Sequence, residues 1–276
     1  METALSLSQS PSVAVVTASV GRAELRRCVD SVRRQDFAGV RHLVVVDGPE
    51  FEADAARVLA DADVGERLEV LVLPRNTGRP DNYGYRIYGA MSLLVNDDVV
   101  CFLDEDNWFD PDHVSSAVDA LRRTGAGWAY SLRRVCTEQG DPIGDDDCDS
   151  LGYWPKFASM LSVWEIARDE KARHVRYPNL VDTSCYVLPR KMARSVASRL
   201  HGPDADSMVA SFLVENHVGV CTGRSTVNYA LGGTSGAPAE WFTDGNGRLQ
   251  ELYEPAPLPW RQGPRKVGPG SLSHPV

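Results

Sequence analysis

The sequence predicts an α/β protein with a mostly parallel sheet flanked by helices. Three observations carry this reading. Short runs of apolar, often β-branched residues recur through the first half, as in SVAVVT, HLVVVD, LEVLVL and VVCFL. Segments with apolar residues at helical spacing separate them. Each run stops at small, polar or acidic residues. Strands that are apolar throughout are the pattern of a sheet covered on both faces.

The elements follow in order. Residues 12–17 form the first strand, and Arg22–Asp36 places Leu25, Cys28, Val29 and Val32 on one helical face. His42–Asp47 is the second strand, stopped by Gly48-Pro49. Glu52–Ala62 reads as a helix, and Leu68–Leu73 as a third strand stopped by Pro74. Asp81–Leu94 sets Ile87, Met91 and Leu94 on one face, and Val99–Leu103 is the fourth strand. Asp110-Pro111 resembles a helix start, with a capping Asp and Pro at the first position.

From about Thr137 the pattern changes. Residues 138–156 are turn-rich and acidic, and read as an exposed loop. A helix near Ala158–Lys171 follows, then a strand at Asp182–Leu188, helices near Lys191–Leu200 and Asp206–Asn216, and short strands at 219–222 and 225–231. The organisation is therefore a ligand-binding α/β part over 12–135, a second part of the same domain over 136–253, and a Pro- and Gly-rich tail, extended or disordered, over 254–276.

The formal net charge of −9 disfavours a nucleic-acid partner held by a broad basic surface. It also means that an anionic ligand needs a local cationic feature, either arginines or a bound metal. Six widely spaced cysteines with no C-x-x-C pair argue for a reduced, cytoplasmic protein and against a zinc site. No apolar run approaches the roughly 18 residues of a membrane span. The first residues lack the pattern of a signal peptide. Oligomeric state leaves no trace in the sequence.

In sheets of this kind ligands bind at the carboxyl ends of strands. That rule singles out Thr17–Ser19, Asp47-Gly48, Asn76–Arg79 and Asp104–Asn107. Within the last group, extended backbone would turn Asp104 and Asp106 to one side and Glu105 away. Two such carboxylates repel unless one is protonated or a cation lies between them. Hard oxygen ligands suit Mg²⁺ or Mn²⁺, completed by water and phosphate oxygens. The plainer alternative is a solvated turn feeding a helix whose positive end favours acids.

The runs VAVVTASVGR–AELRRCVDSVRRQD, LVVVDG, LPRNTGR and VVCFLDEDNWFDPDHV, in that order over residues 12–125, resemble the family 2 glycosyltransferases of GT-A fold. A weaker likeness continues through NLVDTSCYVLPRKMA and DADSMVASFLVEN to about residue 231, with a smaller acceptor-side subdomain, which makes residues 136–253 the acceptor-binding and catalytic part. The resemblance implies a metal-dependent transferase that moves a sugar from a nucleotide-sugar, a UDP-sugar, to a hydroxyl of a small-molecule or glycan acceptor with inversion. It implies that Thr17, Ala18, Ser19 and Asp47 hold the nucleoside, with Asp47 accepting the N3–H of uracil, and that Asn76, Gly78 and Arg79 lie against base or ribose. Asp104, with Glu105 beside it, would border ribose and metal, and Asp106 would bind the metal. The family's base opens a late helix in an E-D type motif. Here the segment reads Asp204-Ala205-Asp206, which favours Asp206 with Asp204 second. Either residue is also a plausible helix cap.

Around this core, Arg75, Arg79 and Arg86 are candidate phosphate contacts, since a guanidinium fork matches two phosphate oxygens. Asp182 is a further carboxylate for acceptor or donor sugar. His217 is the candidate third metal ligand, and His113 reads as structural. Tyr153, Trp154, Trp241 and Phe242 are candidate apolar platforms for an acceptor. Two other readings compete: a nucleotidyltransferase that makes nucleotide-sugars, and a non-catalytic protein that binds them. The loop TASVGR has one Gly, against the Gly-rich triphosphate loop of the former. No G-x-G-x-x-G follows the first strand, which disfavours a nicotinamide-dependent enzyme.

Overall fold

The computed structural model describes residues 7–60, 67–78, 83–152, 180–232 and 239–270. Its first half is a run of β–α units: β1 (Val13–Ser19), α1 (Leu25–Arg33), β2 (Val40–Val46), α2 (Glu52–Leu59), β3 (Leu68–Val72), α3 (Tyr85–Leu94) and β4 (Val99–Phe102). The helical face expected for α1 is the buried one, with Leu25, Cys28, Val29 and Val32 facing inward. A fully buried aliphatic side chain contributes about 1.5–3 kcal/mol. That burial offsets a helix start that has no side-chain cap.

β1 pairs in parallel with β2 on one side and β4 on the other, with Ser19 level with Val46 and Val16 level with Phe102. The register brings three strand ends to one edge of the sheet, so Ser19, Asp47 and Asp104 emerge side by side. β3 extends the sheet beyond β2. It is less buried than its apolar sequence implies, and Val70 and Leu71 stand exposed.

The second half adds β5 (Trp108–Phe109), α4 (His113–Thr124), β6 (Trp128–Cys136), β7 (Pro142–Asp145), β8 (Tyr186–Pro189), α5 (Arg190–Val196), α6 (Ala205–Asn216), β9 (Gly219–Ala230), α7 (Ala239–Tyr253) and β10 (Arg265–Val267). The strand order is β10-β9-β6-β8-β4-β1-β2-β3, with β5 on β9 and β7 on β6. β8 runs antiparallel to both β4 and β6, so the sheet is parallel on one side and mixed on the other.

Several local expectations change. α4 starts at His113, because Asp110 is engaged elsewhere: its carboxylate accepts from Asn228 Nδ2 (2.8 Å) and Arg134 Nη1 (3.3 Å). The two short strands at 219–222 and 225–231 are one strand, β9. The acidic stretch is not a fully exposed loop. It contains β7, and Asp146, Ser150 and Leu151 are fully buried. The expected tail does not leave the domain at Glu254: β10 pairs with β9, and Trp260 is fully buried. Tyr153, Trp154 and the helix expected near 158–171 lie outside the described residues.

All six cysteines are free and buried. Among the described residues, no helix is long and apolar enough to cross a membrane.

Candidate active site

A cavity of about 630 Å³ opens where β1, β2 and β4 end. Its described lining includes six acids (Asp47, Asp104, Glu105, Asp106, Asp182 and Asp206) against one base, Arg22. Among the described residues, that imbalance favours a cation entering together with any anion.

Asp104 and Asp106 both reach the cavity. Asp104 accepts a hydrogen bond from the Tyr88 hydroxyl at 2.7 Å and a longer one from Ser184 Oγ at 3.4 Å. Burial, with the charges of Asp182 and Asp106, pushes its carboxyl well above the usual range. Asp106 is also raised by burial, against the opposing pull of Arg22, whose Nη1 donates to it at 3.3 Å. Two half-buried carboxylates raised in this way are a set that a divalent cation relieves. Among the described residues no group of three or more His, Cys, Asp or Glu side chains is arranged around a metal position. A pair of carboxylate donors is the kind of set that Mg²⁺ or Mn²⁺ would accept, with water and phosphate oxygens completing the shell.

Glu105 takes a different part from the one its alternation predicts. It is buried and gathers the loop after β1, accepting from Ser19 Oγ at 2.6 Å and from the main-chain N–H groups of Val20 (3.2 Å) and Arg22 (3.3 Å). It thus sets the position of Ser19 and Arg22 at the cavity wall. Arg22 itself escaped the sequence reading, since nothing in TASVGR distinguishes it from a surface arginine.

Asp47 lines the cavity, yet its carboxylate is spent on the loop after β3. Oδ1 accepts from Thr77 N (2.7 Å) and Thr77 Oγ1 (2.8 Å), and Oδ2 from Gly78 N (2.8 Å) and Asn76 Nδ2 (3.2 Å). A carboxylate offers about four lone-pair sites, so this one organises Asn76–Gly78 rather than standing open to a base edge. Ala18, Asn76 and Gly78 reach the cavity as expected. Thr17 does not. It is fully buried, with its hydroxyl 2.8 Å from His42 Nε2.

Of the outlying arginines, Arg75 is exposed and Arg86 donates to the Thr77 carbonyl at 3.1 Å. Neither is among the lining residues. Arg79 lies outside the described residues. Tyr83 and Gly84, both with positive φ, form the wall beside them. A Cβ on Gly84 would come within 2.7 Å of the Ala18 side chain, so the approach of α3 to β1 requires glycine there.

Opposite the Asp104–Asp106 turn, the first turn of α6 presents Asp206 to the cavity. Its Oδ2 accepts from the Tyr85 hydroxyl at 3.0 Å, and Oδ1 from Thr183 Oγ1. Burial and the neighbouring Asp182 push the carboxyl up to about 7. Asp204, at the N-cap of the same helix, is exposed and outside the lining. His217 follows the last residue of α6, eleven positions from Asp206, on the order of 16 Å along a helix. There it packs edge-on to Phe212, so it is not brought to the carboxylate pair. His113 is structural: buried, stacked on Phe109, with Nδ1 2.9 Å from Thr226 Oγ1. Trp241 and Phe242 do not form an open platform either, because both are buried on α7.

Asp182 does line the cavity, held from behind. Its Oδ1 accepts from Ser184 N at 2.9 Å, and Oδ2 from Arg133 Nη1 at 2.6 Å. Arg133 also binds Asp146 (2.7 Å) and Asp149 (2.6 Å), which ties the acidic stretch to the cavity wall.

Residues 12–192 match the model of glycosyl transferase family 2. An N-acetylglucosaminyltransferase of Rhizobium leguminosarum bv. viciae is 26% identical over 155 residues, which are 55% of this chain and 32% of that protein. The chain thus spans about a third of the length of that curated relative. Among solved structures, S. aureus TarS residues 1–349 in complex with UDP-GlcNAc match with a TM-score of 0.53 at 12% identity, over 90% of this chain and 68% of that one. The same TarS fragment in another crystal structure matches at 0.52 and 11% identity, over 79% and 60%. The fold is the GT-A fold of these glycosyltransferases.

Proposed function

This chain belongs to glycosyl transferase family 2, and we propose that it moves a sugar from a UDP-sugar to a hydroxyl of a small-molecule or glycan acceptor with inversion. The observation that carries this reading is the convergence of Asp104, Asp106 and Asp206 on one cavity at the strand ends. A UDP-linked donor draws support from the TarS complexes with UDP-GlcNAc and UDP, which makes UDP-GlcNAc the first donor to test.

In the proposed reaction the acceptor oxygen attacks the anomeric carbon, its proton passes to Asp206, and the bond from that carbon to the diphosphate oxygen breaks. A single displacement inverts the centre. Asp206 is suited to the base role because its carboxyl lies near 7, poised between holding and releasing a proton at neutral pH. Asp104 and Asp106 would hold a divalent cation, with Tyr88 fixing the first and Arg22 facing the second. The cation supplies charge to offset the leaving diphosphate. Glu105 keeps Ser19 and Arg22 in place beside the donor, and Asp47 keeps the Asn76–Gly78 loop against the nucleoside. The buried free thiols fit a reducing compartment such as the cytoplasm.

The test is UDP release from UDP-GlcNAc with Mn²⁺, set against pyrophosphate release from UTP with a sugar phosphate. The first product supports the transferase. The second alone returns the reading to a nucleotidyltransferase. Metal-dependent UDP binding without release across a broad acceptor panel would instead mark a binding protein.

A further inference from the structure

α3 carries two tyrosines three residues apart, and each hydroxyl is spent on a different carboxylate of the cavity. Tyr88 donates to Asp104 at 2.7 Å, and Tyr85 donates to Asp206 at 3.0 Å. Residues three apart on a helix share a face, so one rigid element touches both sides of the site at once. Asp206 receives one hydroxyl on each oxygen, Tyr85 on Oδ2 and Thr183 on Oδ1. Two donors from separate elements fix both the rotation and the tilt of the carboxylate plane. Tyr85 also lines the cavity. Burial and the charges of Asp206, Asp104 and Asp182 push its own ionisation well above the usual tyrosine range, so it stays a donor at every working pH.

Resting on the reading of Asp206 as the base, we propose that Tyr85 is a positioning residue that aims the Asp206 carboxylate at the acceptor hydroxyl and, through its helix partner Tyr88, fixes the base relative to Asp104. Nothing in the family pattern of strand-end motifs points to Tyr85. The proposal comes from the shared helix face and the two hydroxyl contacts.

The groups that face Asp206 are Tyr85 from α3, Asp182 and Thr183 from the turn before β8, Tyr186 from β8, Arg133 from β6 and Asp104 after β4. Of these, Tyr85 and Thr183 donate directly and favour the charged carboxylate. Loss of the tyrosine hydroxyl therefore removes support for the anion, and the proton is held to higher pH.

The test compares the full chain with Tyr85→Phe, Tyr88→Phe and Asp206→Asn. UDP release from UDP-GlcNAc with Mn²⁺ is followed across pH, and the Asp206 carboxyl carbon is titrated by NMR. In Tyr85→Phe, kcat is expected to fall about tenfold to a hundredfold, the scale of one hydrogen bond to a charged group. KM for the donor holds, and both the acid limb of kcat and the Asp206 titration move to higher pH. In Tyr88→Phe the donor KM rises and the Asp206 titration stays in place. A Tyr85→Phe enzyme with unchanged Asp206 titration and unchanged acid limb overturns the positioning role, even where melting temperature falls. An Asp206→Asn enzyme that keeps its turnover overturns the base assignment and this inference with it. An inactive Asp206→Asn beside an unaltered Tyr85→Phe removes this inference alone.

Discussion

Arg133 Nη1 donates to Asp182 Oδ2 at 2.6 Å, from a guanidinium that is 4% exposed and also holds Asp146 and Asp149. One cation thus ties three carboxylates together, two from the acidic stretch and one from the cavity wall. Its guanidinium carbon lies 4.2 Å from the centre of the Tyr229 ring, another residue of the cavity. Removing one partner of a buried ion pair costs about 3–5 kcal/mol, because the other is left charged and unpaired. Arg133→Met is therefore expected to lower stability by at least that amount in urea denaturation. Arg133→Lys recovers part of it, limited by an ammonium that cannot reach three carboxylates in a plane. Equal stability of the Met variant and the parent would contradict the anchoring role.

Asp106→Ala should abolish most Mn²⁺-dependent tightening of UDP binding, measured by calorimetry with and without the metal. The variant removes one of the two carboxylates assigned to the cation, Asp104 and Asp106. His217→Ala, by contrast, should leave the metal dependence intact, because that ring packs against Phe212 at the far end of α6. A loss of metal dependence in the histidine variant, or its retention in the aspartate variant, would invert the assignment.

What the sequence revealed and what it hid both have physical reasons. The parallel half was legible because β1, β2 and β4 are uninterrupted apolar runs, and a parallel register places their ends together. That is why Asp47, Asp104 and Asp106 were found. β5 and β10 are two and three residues long, too short for any period to register. β6 carries Arg133 and Arg134 in mid-strand, which breaks the apolar signal at the point where Arg133 pairs with three carboxylates. The partners of Arg133 lie 13, 16 and 49 positions away, so no local spacing announces them. Asp47 was legible by its position and not by its partners, since four donors from Asn76–Gly78 exist only once β2 and β3 have paired.

That network gives Asp47 a definite mutational signature. Asp47→Ala leaves the half-buried N–H groups of Thr77 and Gly78 without their acceptor, and each costs up to about 1–3 kcal/mol, less where water reaches it. The loop after β3 should loosen, seen as faster amide exchange at Thr77 and Gly78, with weaker UDP binding. Asp47→Asn keeps acceptor capacity on one oxygen and should fall between. Unchanged exchange at both amides in the alanine variant would show that the loop holds itself.

Two buried histidines set a pH dependence of folding. Burial pushes His42 and His113 down to about 3, so both stay neutral in the native protein above that pH. The unfolded chain protonates them near their ordinary value of about 6.5. Between those limits the unfolded state binds more protons, so stability is full above 6.5 and is lost as pH falls toward 3. Each histidine contributes a slope of up to about 1.4 kcal/mol per pH unit in that window. Asp206 acts in the opposite sense: held up at about 7, it favours the folded state at low pH and loses that contribution as pH rises from about 3.9 to 7. Urea denaturation should show His42→Gln/His113→Gln gaining stability relative to the parent as pH falls from about 7 to about 4.5, whatever the opposing contribution of the raised buried acids. Parallel slopes would mean the native protein accommodates the charged rings.

Asp204 and Asp206 stand two residues apart at the start of α6, and the structure separates their chemistry. Asp206 faces the cavity with a hydroxyl on each oxygen, while Asp204 is exposed at the N-cap. General-base assistance contributes on the order of 10²–10⁴-fold, so Asp206→Asn should lose turnover on that scale with UDP affinity retained. Asp204→Asn should keep turnover within about twofold, because asparagine is as good an N-cap as aspartate and the helix start is preserved. In the parent, turnover should climb as pH rises through about 7, where Asp206 gives up its proton. Single-turnover kinetics separate these cases from slow product release. A large loss in the Asp204 variant with a silent Asp206 variant would move the base two residues back to the N-cap, onto a carboxylate that does not line the cavity, and the acceptor would then have to reach it from solvent.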